Sequence, residues 1–267
     1  MDKLRQAAKE LLESKSVDMV IGYEKGNLGQ TRAAFITDPK DVDKLIYDAN
    51  CTHNLAVYLN KHEISHYGKI AVTATIPTMK SIIILASEHQ FTDEKVKVLG
   101  ISPAGEYAKL DNFEEVVKFI MANPVDYKPE EKAMLEKLEA MSREERWAFW
   151  QAEFSKCIKC YACRSGCTLC YCHRCIVDNN QPQWIPVAAS QEGNFDWHLV
   201  RAMHLAGRCS SCGECAAACP KSIPLTLLNI KLTEDIIKNF NYRAGQSLTE
   251  GYALSNYKLE DKDNFIK

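Results

Sequence analysis

No apolar run in the chain approaches the length of a membrane span. The longest, Ser81-Ile-Ile-Ile-Leu-Ala86, is far shorter than the roughly 20 residues a spanning helix needs. Charge of one sign is also missing. The 33 basic and 35 acidic residues leave a net charge of −2, which removes the electrostatic case for nucleic acid or an anionic membrane surface as a partner. The hydrolase elbow G-x-S-x-G is absent, as are the G-x-G-x-x-G and Walker phosphate loops. Gly22, Gly26 and Gly29 therefore read as turn glycines. His53, His62, His66 and His89 are scattered, and His62-Glu63 is read as lacking the second His of an H-E-x-x-H site. Acidic residues alternate with lysines on helical faces, as over Glu130–Glu139, which is a solvated surface. The N-terminus, Met1-Asp-Lys-Leu-Arg-Gln6, reads as an amphipathic helix and not as a signal peptide, so a cytoplasmic protein is expected.

Cysteine is what the chain has in excess. Of 12 cysteines, 11 lie between Cys157 and Cys219. In a reducing compartment such clustering points to metal and not to disulfides. Cys209-x2-Cys212-x2-Cys215-x3-Cys219-Pro220 has the bacterial ferredoxin spacing for a 4Fe–4S cluster. Gly213 and Ala216 to Ala218 leave room for the cluster, and Pro220 turns the chain away after the last ligand. A second copy, Cys157-x2-Cys160-x2-Cys163-x3-Cys167, is followed by Thr168 in place of Pro. In two-cluster ferredoxins the fourth cysteine of each motif serves the other cluster. That assigns Cys157, Cys160, Cys163 and Cys219 to one cluster, and Cys209, Cys212, Cys215 and Cys167 to the other. The exchange makes the clusters neighbours, a segment of an electron wire. Structural zinc is the alternative, but zinc needs neither the third evenly spaced cysteine nor the Cys-Pro ending.

Cys170, Cys172 and Cys175 are surplus to two clusters. Three readings stay open: Cys170 replaces Cys167 as fourth ligand; the three form a further metal site completed by His173 or Cys51; or they are spare thiols. Cys51 by itself reads as a small buried hydrophobe. Lys159, Arg164, Arg208 and Lys221 flank the ligands and would favour the reduced, more negative cluster. An apolar wall from Trp147, Trp150, Phe154, Trp197, Leu199, Val200 and Leu205 would act in the opposite direction.

The pattern along the chain predicts a multi-domain α+β protein: an N-terminal α/β domain over 1–122, a linker over 123–129, an all-helical two-cluster domain over 130–240 and a loosely ordered polar tail over 241–267. Asp2 to Glu13 is an amphipathic helix. Strands are expected at Val17–Tyr23, Arg32–Thr37, Lys69–Thr75 and Val96–Ile101. Helices are expected to open at Asp38-Pro39 and to cover Asn54–Glu63, Pro77–Gln90 and Asn112–Ala122, giving parallel strand pairs. Pro124 and Pro129 mark the boundary. Beyond it, helices are expected at Pro129–Met141, Ser142–Ser155 with a capping box to Glu145, Phe195–Ala206 and Ile223–Phe240.

The helical surroundings of the cysteines resemble the α-helical ferredoxin fold of succinate dehydrogenase and heterodisulfide reductase subunits. Val17 to Gly26, Cys51-Thr-His-Asn-Leu-Ala-Val-Tyr-Leu59 and Ala71 to Gly100 resemble the β subunits of deazaflavin-dependent hydrogenases and formate dehydrogenases. The dicluster segment with its Cys170-Tyr-Cys172 tail is similar to 4Fe–4S subunits found beside hydrogenase, formate dehydrogenase and heterodisulfide-reductase-like proteins of anaerobes. The resemblance implies an electron-transfer subunit of a hetero-oligomeric oxidoreductase, with flavoprotein or cluster-bearing partners and no bond chemistry of its own. Its alternative is a flavin-bearing oxidoreductase subunit with the nucleotide in the α/β domain. Ile76-Pro77-Thr78-Met79-Lys80 argues against the flavin, because that family has a Cys-Asp turn and a basic residue there. The least favoured alternative is a zinc-stabilised interaction protein.

Overall fold

A computed structural model of the chain describes residues 1–255, 257 and 259. The end of the expected 241–267 tail lies outside the described residues. Helix α1 (Asp2–Glu13) buries Leu4, Ala8 and Leu12 along one stripe. Strands β1 (Met19–Lys25) and β2 (Thr31–Ile36) pair antiparallel around a short turn at Asn27–Gly29. The helix expected from Asp38 is a 3-10 stretch, Pro39–Lys44. The one expected over Asn54–Glu63 divides into a 3-10 turn, Leu55–Tyr58, and the single turn α2 (His62–Ser65). Asn54 explains part of that break. Its side chain caps Ala56 and reaches Ser81, while its N–H goes to Glu214.

Strand β3 (Ile70–Ala74), helix α3 (Ile76–Ser87) and strand β4 (Val96–Ile101) form a parallel crossover, and β1 is also parallel to β3. An antiparallel strand that the sequence pattern did not suggest, β5 (Tyr107–Leu110), closes the sheet beside β4. Helix α4 (Phe113–Ala122) follows. The strand order is β2-β1-β3-β4-β5. Ile21, Ile70, Val72 and Val98 face α3 and α4. Val20, Ala71, Leu99 and Ile101 face α1. Burial on both faces is why the central strands read as near-continuous apolar runs.

Gly100 on β4 has no room for a side chain. A Cβ there would stand 2.8 Å from Leu110 Cδ1 and 2.9 Å from the Ala108 carbonyl oxygen. Gly100→Val is therefore expected to lower stability by about 1–3 kcal/mol, read as a lower urea midpoint with an unchanged slope. An unaltered midpoint would contradict this close approach.

After β5 every regular element among the described residues is helical. Helices α5 (Pro129–Ala140) and α6 (Arg143–Ser155) follow one another across a short loop, and Ser142 and Glu145 cap α6 reciprocally. Two single turns, α7 (Ala162–Ser165) and α9 (Glu214–Ala217), lie within the cysteine motifs. Helix α8 (Gln191–Leu205) begins ahead of the expected Phe195, because the Ser190 hydroxyl accepts from Gly193 N–H and caps it there. Helix α10 (Leu225–Phe240) completes the set. Among the described residues no helix is long and apolar enough to cross a membrane.

The apolar core under the sheet does not stop at the linker. Leu169, Leu205 and Ile236 are buried in the same cluster as Ile82 and Val116. Polar contacts run alongside. Glu88 accepts from Arg208 at 2.5 and 2.7 Å and from the Tyr171 hydroxyl at 2.8 Å. Over its described part the tail also belongs to this core: Tyr242 and Ala244 are buried in it, and Leu248, Tyr252 and Ala253 lie against it.

Candidate metal centre

The two cysteine motifs have the same backbone shape. In the first, Lys159 and Tyr161 take left-handed conformations at φ 51 and 60; in the second, Ser211 and Gly213 do so at φ 57 and 83. Three of these four residues are not glycine, and such conformations persist only where their surroundings hold them. Each motif bends its chain so that an N–H points back at the first sulfur. Lys159 N–H donates to Cys157 Sγ at 3.4 Å, and Ser211 N–H to Cys209 Sγ at 3.3 Å. Tyr161 and Gly213 then start α7 and α9. These two turns touch at Gly166, where a Cβ would lie 3.7 Å from Ala218 Cβ and 4.0 Å from the Glu214 carbonyl oxygen.

Folding distributes the eight motif cysteines into two groups. Cys157, Cys160, Cys163 and Cys219 line a single cavity with Trp197, Ile223 and other apolar residues. Cys167 leaves its own motif and lies among the charges felt by Cys209, Cys212 and Cys215. Cys163 and Cys215 are neighbours across the two groups, in one apolar cluster with Phe154 and Trp197. Burial pushes the thiols of Cys163 and Cys212 up to about 12 and raises Cys157, Cys209 and Cys215 as well. Cys167 departs from this: the neighbouring Cys170 thiol favours its thiolate and lowers it. Thiols kept protonated by burial must lose their protons to a metal, so binding there releases protons.

The donor set suits an iron–sulfur cluster. Four sulfurs surround one space, backbone N–H groups point at sulfur, and Ala216 to Ala218 and Gly166 bring no bulk. Asn229 adds a side-chain N–H to Cys215 Sγ at 3.5 Å. Among the described residues no three His, Cys, Asp or Glu donors converge so as to hold a single metal ion. The surplus cysteines are not gathered. Cys170 lies beside Cys167 in the core under the sheet, Cys175 is in the cluster around Phe154 and Trp197, and Cys172 is exposed. Cys51 is buried on the α/β side, with Asp48 N–H donating to its sulfur.

Of the four expected flanking charges, Lys159 and Lys221 border the first cavity, while the two arginines are paired with carboxylates. Arg164 is held by Asp178 at 2.5 Å and Arg208 by Glu88 at 2.5 Å. Lys159 turns its ammonium to the Pro186 carbonyl oxygen. The expected apolar wall is also narrower. Phe154, Trp197 and Leu205 are buried, but Trp147 and Leu199 are exposed. A buried arginine, Arg201, lies between the groups and was not singled out from the sequence.

The α/β domain meets the second motif directly. His53 Nδ1 and Glu214 Oε2 are 2.8 Å apart, and Asn54 N–H donates to Glu214 Oε1 at 3.1 Å. The Ser81 and Ser210 hydroxyls are 2.9 Å apart. Ile76, Pro77 and Lys80 border a cavity with Cys209 and Cys212. Gly26 and Gly29 are turn residues as expected, whereas Gly22 is in mid-strand with Leu45 packed over it. The expectation that no H-E-x-x-H occurs is wrong: His62-Glu63-Ile64-Ser65-His66 has that spacing. It falls on the single turn α2, with the His62, Glu63 and His66 side chains exposed, so it lacks the long buried helix on which that motif binds zinc.

Residues 156–224 match the family model of the 4Fe-4S dicluster domain. The chain is 31% identical over 97 residues to the F420-dependent formate dehydrogenase subunit beta of Methanocaldococcus jannaschii, covering 36% of this chain and 25% of that one. It is 32% identical over 96 residues to the F420-dependent formate dehydrogenase 1 subunit beta of Methanococcus maripaludis, covering 36% and 24%. The match thus spans about a quarter of the length of these curated relatives. With paired cysteine motifs on one side and this similarity on the other, the chain carries a 4Fe–4S dicluster domain and is related over part of its length to the β subunits of F420-dependent formate dehydrogenases.

Proposed function

We propose that this chain is an iron–sulfur electron-transfer subunit of a cytoplasmic, formate-dehydrogenase-like complex. The observation that carries the reading is the regrouping of the eight motif cysteines into two adjoining sets of four. Cys157, Cys160, Cys163 and Cys219 would hold one 4Fe–4S cluster, and Cys167, Cys209, Cys212 and Cys215 the other. Each cluster, when bound, supplies one reversible one-electron step. The thiolates anchor it. The N–H groups of Lys159 and Ser211 take up part of the charge on sulfur. Phe154, Trp197 and Ile223 keep water away. This is the division of labour expected between a cofactor and its protein.

In this reading the helical region 130–240 is a ferredoxin-like relay, and residues 1–122 form the platform that fixes the second motif through Glu214 and Ser210. A relay needs contact at both ends, so the chain works in a hetero-oligomer with other redox subunits. Analysis of the anaerobically isolated chain tests this. About eight irons and eight acid-labile sulfides per chain are expected, without stoichiometric flavin. Zinc without sulfide would overturn the relay, and bound flavin in equal amount would make the platform a cofactor site.

A further inference from the structure

Both cysteine groups surround one buried cation. Arg201, on α8, is 4% exposed. Its Nη2 donates to the Cys163 carbonyl oxygen at 2.9 Å. The Trp197 ring centroid is 5.9 Å from it. Its Nε is buried without a partner. The cysteines that act on it are Cys163 of one group, Cys167 and Cys215 of the other, and the surplus Cys170. Among the described residues it makes no ion pair with a carboxylate, in contrast to Arg164 and Arg208. A guanidinium buried without a counter-charge is strongly destabilising. Thiolates and the cluster they hold are the counter-charge this site offers.

We propose that Arg201 is the shared counter-ion of the two clusters and sets both reduction potentials from between them. The inference rests on the two-cluster reading above. Reduction by one electron adds one negative charge to a cluster, and a fixed positive charge in a poorly polarisable interior favours that state. Arg201 therefore holds both potentials above the values they would have beside a neutral side chain. It acts as a positioning residue through charge.

The test compares the wild-type chain with Arg201→Met and Arg201→Lys, isolated anaerobically, assayed for iron and sulfide, and titrated with electron paramagnetic resonance detection. In Arg201→Met both midpoint potentials are expected to fall by at least a tenfold change in the oxidised-to-reduced ratio, about 59 mV for one electron. Arg201→Lys is expected to restore most of that shift. If Arg201→Met assembles no clusters while Arg201→Lys does, the need for charge is equally supported. Four results would overturn the proposal: wild-type potentials in loaded Arg201→Met, a shift at one cluster only, a shift that lysine does not restore, or failure of both variants to assemble. Absence of iron and sulfide from the wild-type chain would instead remove the two-cluster reading on which the inference rests.

Discussion

Cys212→Ser is expected to leave about four of the eight irons per chain and to remove one of two reduced-cluster resonance signals. Cys212 lies in the group with Cys209, Cys215 and Cys167, bordered by Gly213 and the α3 residues Ile76 and Pro77. A serine oxygen is a harder and more basic ligand than thiolate. Cys160→Ser should remove the other signal, since Cys160 lines the first cavity. Cys51→Ser should remove neither, because that sulfur is engaged with Asp48 on the α/β side. Full iron and both signals in Cys160→Ser would show the ligand assignment to be wrong.

Removing iron and sulfide with a chelator and reductant should unfold residues 156–224 locally while the sheet persists. Two terms act in the same direction. A cluster joining Cys157 to Cys219 closes a loop of the kind that a covalent cross-link stabilises by about 4 kcal/mol. Arg201 would be left as a buried charge without its partner, a loss of about 3–5 kcal/mol. Few contacts compensate, because the apolar cluster around Phe154, Trp197 and Ile223 is small and includes the cysteines themselves. The sheet is different: Ile21, Val72 and Val98 are buried in a large core shared with α3 and α4. Hydrogen exchange followed by mass spectrometry should show loss of protection over 156–224 and retention over 70–74 and 96–101. Uniform protection in the stripped chain would count against metal-dependent folding.

Much of the α/β architecture was legible because its signals are local. β4 coincides with the expected Val96–Ile101, and α4 and α6 begin beside caps that the sequence displays, Asn112 and Ser142. β5 was not legible, because Tyr107–Leu110 is too short to show a period and owes its form to pairing with β4. The helix expected from Asn54 was lost to long-range bonds with Ser81 and Glu214. At the candidate site the cysteine spacing identified the cofactor class. Arg201 was hidden among residues read as helix packing. It occupies the stripe Trp197, Arg201, Leu205 on α8, buried at all three positions. A cation inside an apolar stripe four residues apart was the available signal. The pairing of Arg164 and Arg208 could not be read, since Asp178 and Glu88 lie 14 and 120 positions away.

The continuous core across residues 123–129 bears on how the molecule moves. Two prolines in that segment suggest a hinge, but swinging there would expose Leu169, Leu205 and Ile236 and separate Glu88 from both Arg208 and Tyr171. The segment is therefore a strap between welded parts. Sheet and cysteine loops share one core, so a redox subunit of the proposed complex would meet them as a single combined surface.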